Sequence, residues 1–243
     1  MHNDSYKEFS QIYDLLMNDI DYEKWTSFII KKIGNNNKIL EAACGTGSIT
    51  SILAENNYKV TAFDLSQDML MKAYEKLGRC PDVKLLIQDM TTFKIDDKFA
   101  AAICCCDGIN YLTKDEILLF FKKVNEHLSQ NSKFVFDIST EYKYKTMFND
   151  TYVYDDGDVF YVWENMIDQD EKSVNVEINF FVSNSSQKYE RITELQTQYI
   201  HSVQEIVSLL KKSEFNNIEI FDDYNEAAYN DTSLRAVFCC NKM

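Results

Sequence analysis

The chain switches repeatedly between two hydrophobic periods, and this alternation constrains its fold more than any other feature. Between residues 37 and 138, short apolar runs typical of buried strands alternate with amphipathic stretches of helical period. The strand segments are NKILEA, YKVTAFD, DVKLLIQD, KFAAAICCCD and KFVFDI. Because successive strands joined by helices pair in parallel, we predict an α/β fold with a doubly wound, mostly parallel sheet.

Several helix starts carry recognisable capping residues. Ser66 precedes the segment QDMLMKAYEKL, which Gly78 follows, and a capping box opens at Thr113. A second capping box opens at Ser202, near the end of the chain. Two more strands follow, NNIEIFDD and SLRAVFCCNK, and their short separation indicates a hairpin. We therefore expect seven strands in the sheet, with the last strand antiparallel to the others.

Residues 139–200 follow a different pattern. Their apolar residues recur with period 2, most clearly over residues 174–182, and β-branched and aromatic types are frequent. This pattern predicts an antiparallel β meander inserted into the α/β core. The core then comprises residues 1–138 and 201–243, and residues 5–34 contain two predicted helices ahead of the sheet.

Composition limits the compartment and the partners. The formal net charge is −14, and lysine and arginine cluster no further than short pairs such as Lys31 and Lys32. Nucleic-acid binding relies on clustered cations that neutralise phosphates, so DNA or RNA is a disfavoured partner. No apolar run approaches the roughly 18 to 20 residues that span a bilayer. With its polar N-terminus, the chain is therefore predicted to be cytoplasmic and to have no membrane partner.

The cysteines do not form a metal-binding pattern. The 7 cysteines include the triplet Cys104 to Cys106 and the pair Cys239 and Cys240, with no C-x-x-C spacing. These clusters lie in apolar strand segments, where neighbouring side chains point to opposite faces. We expect reduced thiols packed in the core and no metal site.

Two glycines lie one residue apart directly after the first predicted strand, at Gly45 and Gly47. A dinucleotide-binding turn has a third glycine three residues later, which allows close helix packing beside a pyrophosphate. Thr50 occupies that place, and Glu41 puts a carboxylate at the end of the strand. The turn therefore fits a cationic ligand better than a phosphate, and a purely structural turn is the alternative.

Acidic residues close the next three strands as well. Asp64 follows the second strand, where a carboxylate can accept both hydroxyls of a ribose. Asp89 follows the third strand beside Met90, a pair suited to an exocyclic amine and a stacked ring. Asp107 follows the fourth strand. Since ligands of doubly wound sheets bind beyond the carboxyl ends of the strands, these acids indicate a ligand site at that edge.

Together these motifs resemble those of the class I S-adenosylmethionine-dependent methyltransferases. Residues 41–47 are similar to the glycine-rich first motif of that family, residues 63–70 to its ribose-binding segment, and residues 88–90 to its adenine-binding acidic dipeptide. The resemblance implies a seven-stranded Rossmann-like sheet, S-adenosylmethionine as cofactor and S-adenosylhomocysteine as product. The implied cofactor-binding residues are Tyr13, Tyr22, Trp25, Glu41, Ala43, Gly45, Thr46, Gly47, Asp64, Leu65, Met69, Asp89, Met90 and Cys106.

A closer resemblance is to a bacterial branch that contains amino-sugar N,N-dimethyltransferases and many members of unknown substrate. Residues 9–25, residues 107–112 and the β-rich insertion carry it. The resemblance implies that residues 1–34 form a helical lid whose aromatic residues cover the methionine end of the cofactor. Ala43 departs from the family pattern, which usually has glycine there.

The catalytic residues stay open, because a sulfonium methyl is already activated and the enzyme mainly aligns the reactants and excludes water. Candidates near the methyl are Tyr13, Asp107, Asn110 and Tyr111, each of which could equally pack or cap a loop. A general base is needed only if the nucleophile arrives protonated.

The aromatic and acidic residues of the insertion favour N-methylation of a small amine-bearing molecule, through cation–π and carboxylate contacts. The insertion could instead form an interface between two copies of the chain, so a monomer and a homodimer both remain open. Methylation of tRNA, of another RNA or of a protein side chain also stays open, as does a non-catalytic cofactor-binding protein.

Overall fold

The computed structural model of the chain describes residues 13, 17, 19–35, 37–148, 150–155, 157, 159–168, 170, 172–183 and 188–243. The first helix predicted within residues 5–34 lies mostly outside these residues, and the second is α1, Tyr22–Ile33. Among the described helices, none has both the length and the apolar composition that crossing a membrane requires.

A seven-stranded sheet forms the core. Its strands are β1 Lys38–Ala42, β2 Lys59–Asp64, β3 Val83–Ile87, β4 Phe99–Cys104, β5 Leu128–Ser139, β10 Phe215–Asp222 and β11 Arg235–Lys242, in the spatial order β10-β11-β5-β4-β1-β2-β3. The strands from β5 to β3 pair in parallel, whereas β11 is antiparallel to both β5 and β10. The predicted sheet and its antiparallel last strand are confirmed. The strand order reverses between β1 and β4, which places a crevice at their carboxyl ends.

The remaining helices are α2 Ser48–Glu55, α3 Gln67–Leu77, α4 Lys114–His127, α5 Glu141–Met147 and α6 Val203–Lys212. The predicted caps form at Ser66, whose hydroxyl accepts a first-turn N–H, and at Thr113, where the capping box is complete. At Ser202 the hydroxyl accepts the Glu205 N–H, but the Glu205 carboxylate lies 2.6 Å from Lys114. Tertiary ion pairing thus replaces the second half of the predicted box.

A separate four-stranded sheet comprises β6 Tyr152–Asp155, β7 Val159–Ile167, β8 Ser173–Ser183 and β9 Tyr189–Tyr199. Its strands pair antiparallel in chain order, which confirms the predicted meander. The sequence pattern does not reveal α5, because its 7 residues are too few to show a helical period. The domain boundaries at residues 139 and 200 stay a prediction.

Apolar side chains cover both faces of the core sheet. On one face, Phe121 of α4 packs against Phe134 and Phe136 of β5. On the other face, Phe28 of α1 packs against Phe221 of β10. All seven cysteines are free thiols and five of them are buried, as the sequence predicts.

A third apolar cluster joins the four-stranded sheet to the core. Its buried members are Met69 of α3, Tyr144 of α5, Val174, Val176, Ile178 and Phe180 of β8, and Ile192 of β9. A second contact comes from the loop after β4, where the Asn110 amide donates to the Tyr199 carbonyl at 3.0 Å. We call the face of the small sheet that carries the β8 members its inner face. It lies toward the carboxyl ends of the core strands, where α3 and this loop begin.

Candidate functional site

A pocket opens at the carboxyl ends of β1 and β4, where the strand order reverses. Its lining comes from the end of β1 and the turn after it, the start of α2, the loop after β4 and two tyrosines near the start of the chain. The lining residues are Tyr13, Tyr22, Glu41, Ala43, Cys44, Gly45, Thr46, Ser48, Ile49, Cys105 and Cys106. The structure thus brings together seven of the predicted cofactor-binding residues.

The turn after β1 uses left-handed backbone three times. Ala43, Gly45 and Gly47 have φ angles of 53°, 54° and 77°. A Cβ at Gly45 would have no neighbour within 4 Å, so this glycine leaves open space at the pocket. A Cβ at Gly47 would lie 2.9 Å from Leu77 and 3.2 Å from Ala73, both on α3. Gly45 therefore serves the pocket, whereas Gly47 serves close packing against a neighbouring helix.

The Asp64 carboxylate lies beside this turn. Its two oxygens accept the backbone N–H groups of Gly45 and Ser66, each at 2.8 Å. Burial raises the pKa of Asp64, and these hydrogen bonds oppose that shift. A carboxylate oxygen can accept two hydrogen bonds, so both oxygens keep acceptor capacity for ligand hydroxyls.

Glu41 is buried at the end of β1 and lines the same pocket. Burial raises its pKa to about 7, a hydrogen bond from Thr50 opposes this, and the Asp64 charge adds to it. The Thr50 hydroxyl donates to Glu41 Oε2 at 2.7 Å. From the sequence, Thr50 is notable only as a missing glycine. Its hydroxyl, one turn into α2 and facing β1, is the signal that could have identified it as the residue that orients Glu41.

The other seven predicted cofactor-binding residues lie outside the pocket lining: Trp25, Gly47, Asp64, Leu65, Met69, Asp89 and Met90. Leu65 is 68% exposed beside Asp64. After β3, Asp89 Oδ1 accepts the N–H and the hydroxyl of Thr91 at 2.7 and 2.5 Å, which fixes its carboxylate, and Met90 packs against the core. Their contacts with a cofactor stay a prediction.

Two of these residues are engaged in packing. Trp25 stacks on Tyr224 with 4.4 Å between ring centroids, and the Arg235 guanidinium lies 4.7 Å from the Trp25 ring. Met69 belongs to the apolar cluster under the four-stranded sheet. The structure therefore does not bring Trp25 or Met69 to the pocket with the other predicted residues, and a cofactor contact for either stays a prediction.

The loop after β4 forms another wall of the pocket and is held by buried charges. Cys106 and Asp107 both have left-handed backbone, with φ angles of 60° and 61°. The Asp107 carboxylate accepts from Arg235 of β11 at 2.5 Å and lies 3.5 Å from Lys143. Arg235 also pairs with Asp137 of β5, whose carboxylate accepts the Asp107 N–H at 3.2 Å. No local motif marks Arg235, whose signal is a single arginine at the start of an apolar strand.

Burial and the neighbouring cations give the Asp107 and Asp137 carboxyl groups very different pKa values. Burial alone would raise the pKa of Asp107, but the charges of Arg235 and Lys143 outweigh it and lower the value to about 2. Burial raises the pKa of Asp137 to about 6, despite the opposing charge of Arg235. Asp107 is thus ionised and bound to Arg235 at neutral pH, an arrangement that suits a loop anchor better than a base.

The other three catalytic candidates connect the pocket with the four-stranded sheet. Asn110 is buried, and its amide binds the backbone of β5 as well as the Tyr199 carbonyl. The Tyr111 hydroxyl donates to Gln196 Oε1 of β9 at 2.8 Å. Tyr13 lines the pocket, and burial raises its pKa well above the ordinary value. Of the four candidates, Tyr13 alone is in the pocket lining, and a catalytic role for any of them stays a prediction.

Comparisons with known proteins match the chain to methyltransferases. Residues 39–131 match the family model described as a methyltransferase domain. The crystal structure of an S-adenosylmethionine-dependent methyltransferase from Clostridium acetobutylicum ATCC 824 is 34% identical and has a TM-score of 0.86, with 98% of each chain covered.

Two curated relatives extend the match. YqeM from Bacillus subtilis strain 168, which carries a provisional methyltransferase name, is 34% identical over 240 residues, or 98% of this chain and 97% of that protein. The dTDP-3-amino-3,4,6-trideoxy-alpha-D-glucopyranose N,N-dimethyltransferase from Streptomyces venezuelae is 29% identical over 128 residues, or 50% of this chain and 53% of that protein.

Proposed function

Because the chain belongs to the family of S-adenosylmethionine-dependent methyltransferases, we propose that it methylates an amino group of a small molecule. The cofactor is S-adenosylmethionine, and S-adenosylhomocysteine is the product. The small acceptor and the nitrogen target are the proposed part. They are supported by the four-stranded sheet held over the loop after β4, by the charge of the chain and by the name of one relative.

The residues of the pocket, with Asp64 beside it, fit the cofactor. Gly45 leaves space where a Cβ would stand, and Asp64 keeps acceptor capacity that suits the two ribose hydroxyls. Glu41 places a buried carboxylate at the pocket, where it would attract the cationic methionine end. When bound, S-adenosylmethionine supplies a methyl group activated by a positively charged sulfur.

The task of the chain itself is to place the acceptor and to exclude water. Tyr13 and Cys106 line the pocket from two sides of the chain, and the Asp107–Arg235 pair fixes the backbone that carries Cys106. An amine that arrives neutral needs no base before it reacts, and its product ammonium can release a proton to solvent.

The observation that carries the small-molecule proposal is the four-stranded sheet held over the loop after β4. Tyr111 binds Gln196 at 2.8 Å and Asn110 binds Tyr199 at 3.0 Å, so two adjacent residues hold β9 against the loop whose Cys106 lines the pocket. A sheet held over this loop suits an acceptor small enough to enter beneath it. The net charge of −14 disfavours a polyanionic acceptor and suits a cationic one.

The nitrogen target has separate support. One relative is named as an N,N-dimethyltransferase of an amino sugar, although the match spans 50% of this chain. The inner face of the sheet also carries aromatic side chains, Tyr161 and Trp163 of β7, which register opposite Phe180 and Ile178. Aromatic rings bind organic cations through their π faces, which supports an amine acceptor.

Methyl transfer from labelled cofactor tests the proposal. The purified protein is incubated with methyl-labelled S-adenosylmethionine and separate pools of small amines, small alcohols and tRNA. We expect label in the amine pool. Label confined to alcohols or tRNA would refute the proposed acceptor.

Asp64→Ala is the matched control for the cofactor site. Loss of a charged acceptor should weaken S-adenosylmethionine binding in calorimetry by about 10- to 100-fold, since such hydrogen bonds contribute about 1.5–3 kcal/mol. Transfer should fall with binding. Unchanged affinity in Asp64→Ala would contradict the assignment of the pocket.

A further inference from the structure

Three polar side chains alternate along β9 on the inner face of the four-stranded sheet: Glu194, Gln196 and Gln198, here called the inner strip. The register pairs them with Ile178, Val176 and Val174 of β8, and these three residues are buried and apolar. Since directly paired residues share a face of a sheet, the inner strip points to the same side as the apolar cluster that joins this sheet to the core.

The polarity of the inner strip is unusual for its position. Glu194 and Gln198 are buried, whereas Ile192, the preceding residue on this face of β9, packs in the apolar cluster. Packing alone favours apolar residues here, because burying amides and a carboxylate carries a desolvation cost. For Gln198 this cost is offset within the fold, because its Oε1 accepts from the buried Tyr144 hydroxyl at 2.8 Å. The amide of Gln196 and the carboxylate of Glu194 continue the polar row, which supports a binding role for these two residues.

Hydrogen bonds connect the inner strip to the loop after β4. The Tyr111 hydroxyl donates to Gln196 Oε1 at 2.8 Å and accepts from Gln198 Nε2 at 3.3 Å. Gln196 Nε2 in turn donates to Glu194 Oε1 at 3.4 Å. Tyr13, which lines the pocket, packs against the apolar cluster beside this strip. The inner strip is therefore joined to the loop whose Cys106 lines the pocket and shares its face of the sheet with a cluster that Tyr13 contacts.

We propose that the inner strip is the acceptor-binding site and that it selects an amine flanked by hydroxyl groups, as in an amino sugar or another amino polyol. This inference rests on the proposed N-methylation of a small molecule. The Glu194 carboxylate accepts N–H hydrogen bonds from the neutral amine, and the Gln196 amide both donates to and accepts from neighbouring hydroxyls. Gln198, bonded to Tyr111 and Tyr144, holds the strip in place. Glu194 and Gln196 are specificity-determining residues and take no part in cofactor binding.

Steady-state methyl transfer with chosen acceptors tests this site. The probes are aminodeoxyhexoses, free and as nucleoside diphosphate esters, and simple alkylamines that lack hydroxyls. For the wild type we expect kcat/KM at least tenfold higher for an aminohexose probe than for the alkylamines. Glu194→Gln should raise KM for that probe at least tenfold, and Gln196→Leu should reduce its advantage over the alkylamines.

Two controls separate binding of the acceptor from damage to the fold. Glu164→Gln, on the outward face of β7 and exposed, should leave KM within twofold of the wild type. In all three variants, S-adenosylhomocysteine should bind within twofold of wild-type affinity. Gln196 is partly exposed, so Gln196→Leu tests the strip even if Glu194→Gln fails to fold.

The outcomes distinguish this inference from the proposed function. Transfer to amines with KM and probe preference unchanged in Glu194→Gln and Gln196→Leu would overturn the acceptor site and leave N-methylation intact. Loss of cofactor affinity together with activity would also overturn it, because the strip would then be structural. A wild type that methylates no amine would refute both.

Discussion

Two walls of the pocket depend on left-handed backbone, but they are held by different means. After β1, Gly45 and Gly47 supply two left-handed positions at little steric cost, and the Asp64 carboxylate binds the Gly45 N–H. After β4, Cys106 and Asp107 adopt the same backbone region without a glycine. Asp107 is held by an arginine 128 residues away in sequence.

The wall after β1, here called the glycine wall, leaves open space for a ligand. The wall after β4, here called the charged wall, is held in one conformation by ion pairs. A left-handed non-glycine residue costs about 1–2 kcal/mol, so it persists only where surrounding contacts fix it. Open space adjoins Gly45, whereas the Asp107 carboxylate is enclosed by Arg235 and Lys143. The glycine wall is thus shaped for a ligand, and the charged wall gives that ligand a fixed boundary.

Breaking the charged wall should have the largest effect. Arg235→Met leaves the Asp107 and Asp137 carboxyl groups buried without their shared cation, which should destabilise the fold by about 3–5 kcal/mol. Urea unfolding followed by circular dichroism measures the loss. Arg79→Met is the control, because that residue is exposed and its replacement should change stability by less than about 0.5 kcal/mol. Equal effects of the two substitutions would show that the buried charges do not fix this wall.

Glu41 lies at the end of β1, just before the glycine turn. It should make the stability of the protein depend on pH in a range where Asp107 does not. Because the folded-state pKa of Glu41 is raised from 4.5 to about 7, its contribution to stability is greatest below pH 4.5 and is lost as pH rises to about 7. Asp137, whose pKa is raised from 3.8 to about 6, adds a loss that is complete by about pH 6. Each loss is roughly 1.4 kcal/mol per unit of pKa shift. Glu41→Gln should reduce the fall in stability and leave the part due to Asp137, whereas Asp107, with a pKa of about 2, contributes nothing between pH 5 and 8.

Cofactor binding should show the opposite pH dependence. The cationic cofactor favours the ionised form of Glu41, so calorimetry should give S-adenosylmethionine affinity about tenfold weaker at pH 6 than at pH 8. In Glu41→Gln the affinity should not change over this range. A wild-type affinity independent of pH would place the Glu41 carboxylate out of reach of the cofactor.

Alanine substitutions of the two glycines in the glycine wall should affect different properties, one mainly the stability of the fold and the other mainly cofactor binding. Gly47→Ala combines a φ of 77° with a Cβ 2.9 Å from Leu77, so it should destabilise by about 2–3 kcal/mol. Gly45→Ala meets no neighbour and should cost only about 1 kcal/mol in stability, yet its methyl group enters the open space and should weaken cofactor binding. Thermal unfolding and calorimetry on both variants test the contrast. A cofactor affinity of Gly45→Ala equal to that of the wild type would contradict this contrast.

Ala43 is a left-handed alanine within the glycine wall, and its replacement should have the smallest effect. Ala43→Gly relieves backbone strain in the folded state but raises the entropy of the unfolded chain. These terms oppose each other, so urea unfolding should give a stability change within about 1 kcal/mol. A loss of several kcal/mol would mean that the Ala43 methyl group is needed for packing against Gly108, where a Cβ would lie 3.2 Å from it.

Most of the fold and the position of the pocket follow from the sequence. Hydrophobic periods of β1 to β5 and α2 to α4 are strong and local, and the caps at Ser66 and Thr113 mark helix starts by short-range hydrogen bonds. Gly45, Glu41 and Asp64 lie at strand ends, which parallel topology brings to one edge. The α5 helix escapes this approach because one short segment carries too little period.

The partners of the predicted site residues do not follow from the sequence. The family resemblance predicts Trp25 over the cofactor, but its stacking on Tyr224 depends on how the ends of the chain meet. Tyr111 and Asn110 are predicted near the methyl group, and their bonds to β9 arise only once the insertion folds over the loop. Arg235 has no motif at all, since its partners come from β4 and β5.

The α/β sheet, the glycine turn and the acids that close its strands follow from the residue pattern, because they depend on period and on residues close along the chain. Which of these groups are charged, and what holds them, depends on the folded structure. Burial raises the pKa of Glu41, and Arg235 fixes Asp107 across 128 residues. Desolvation and long-range ion pairing depend on which segments meet in space, and a linear pattern of residue types does not encode that meeting.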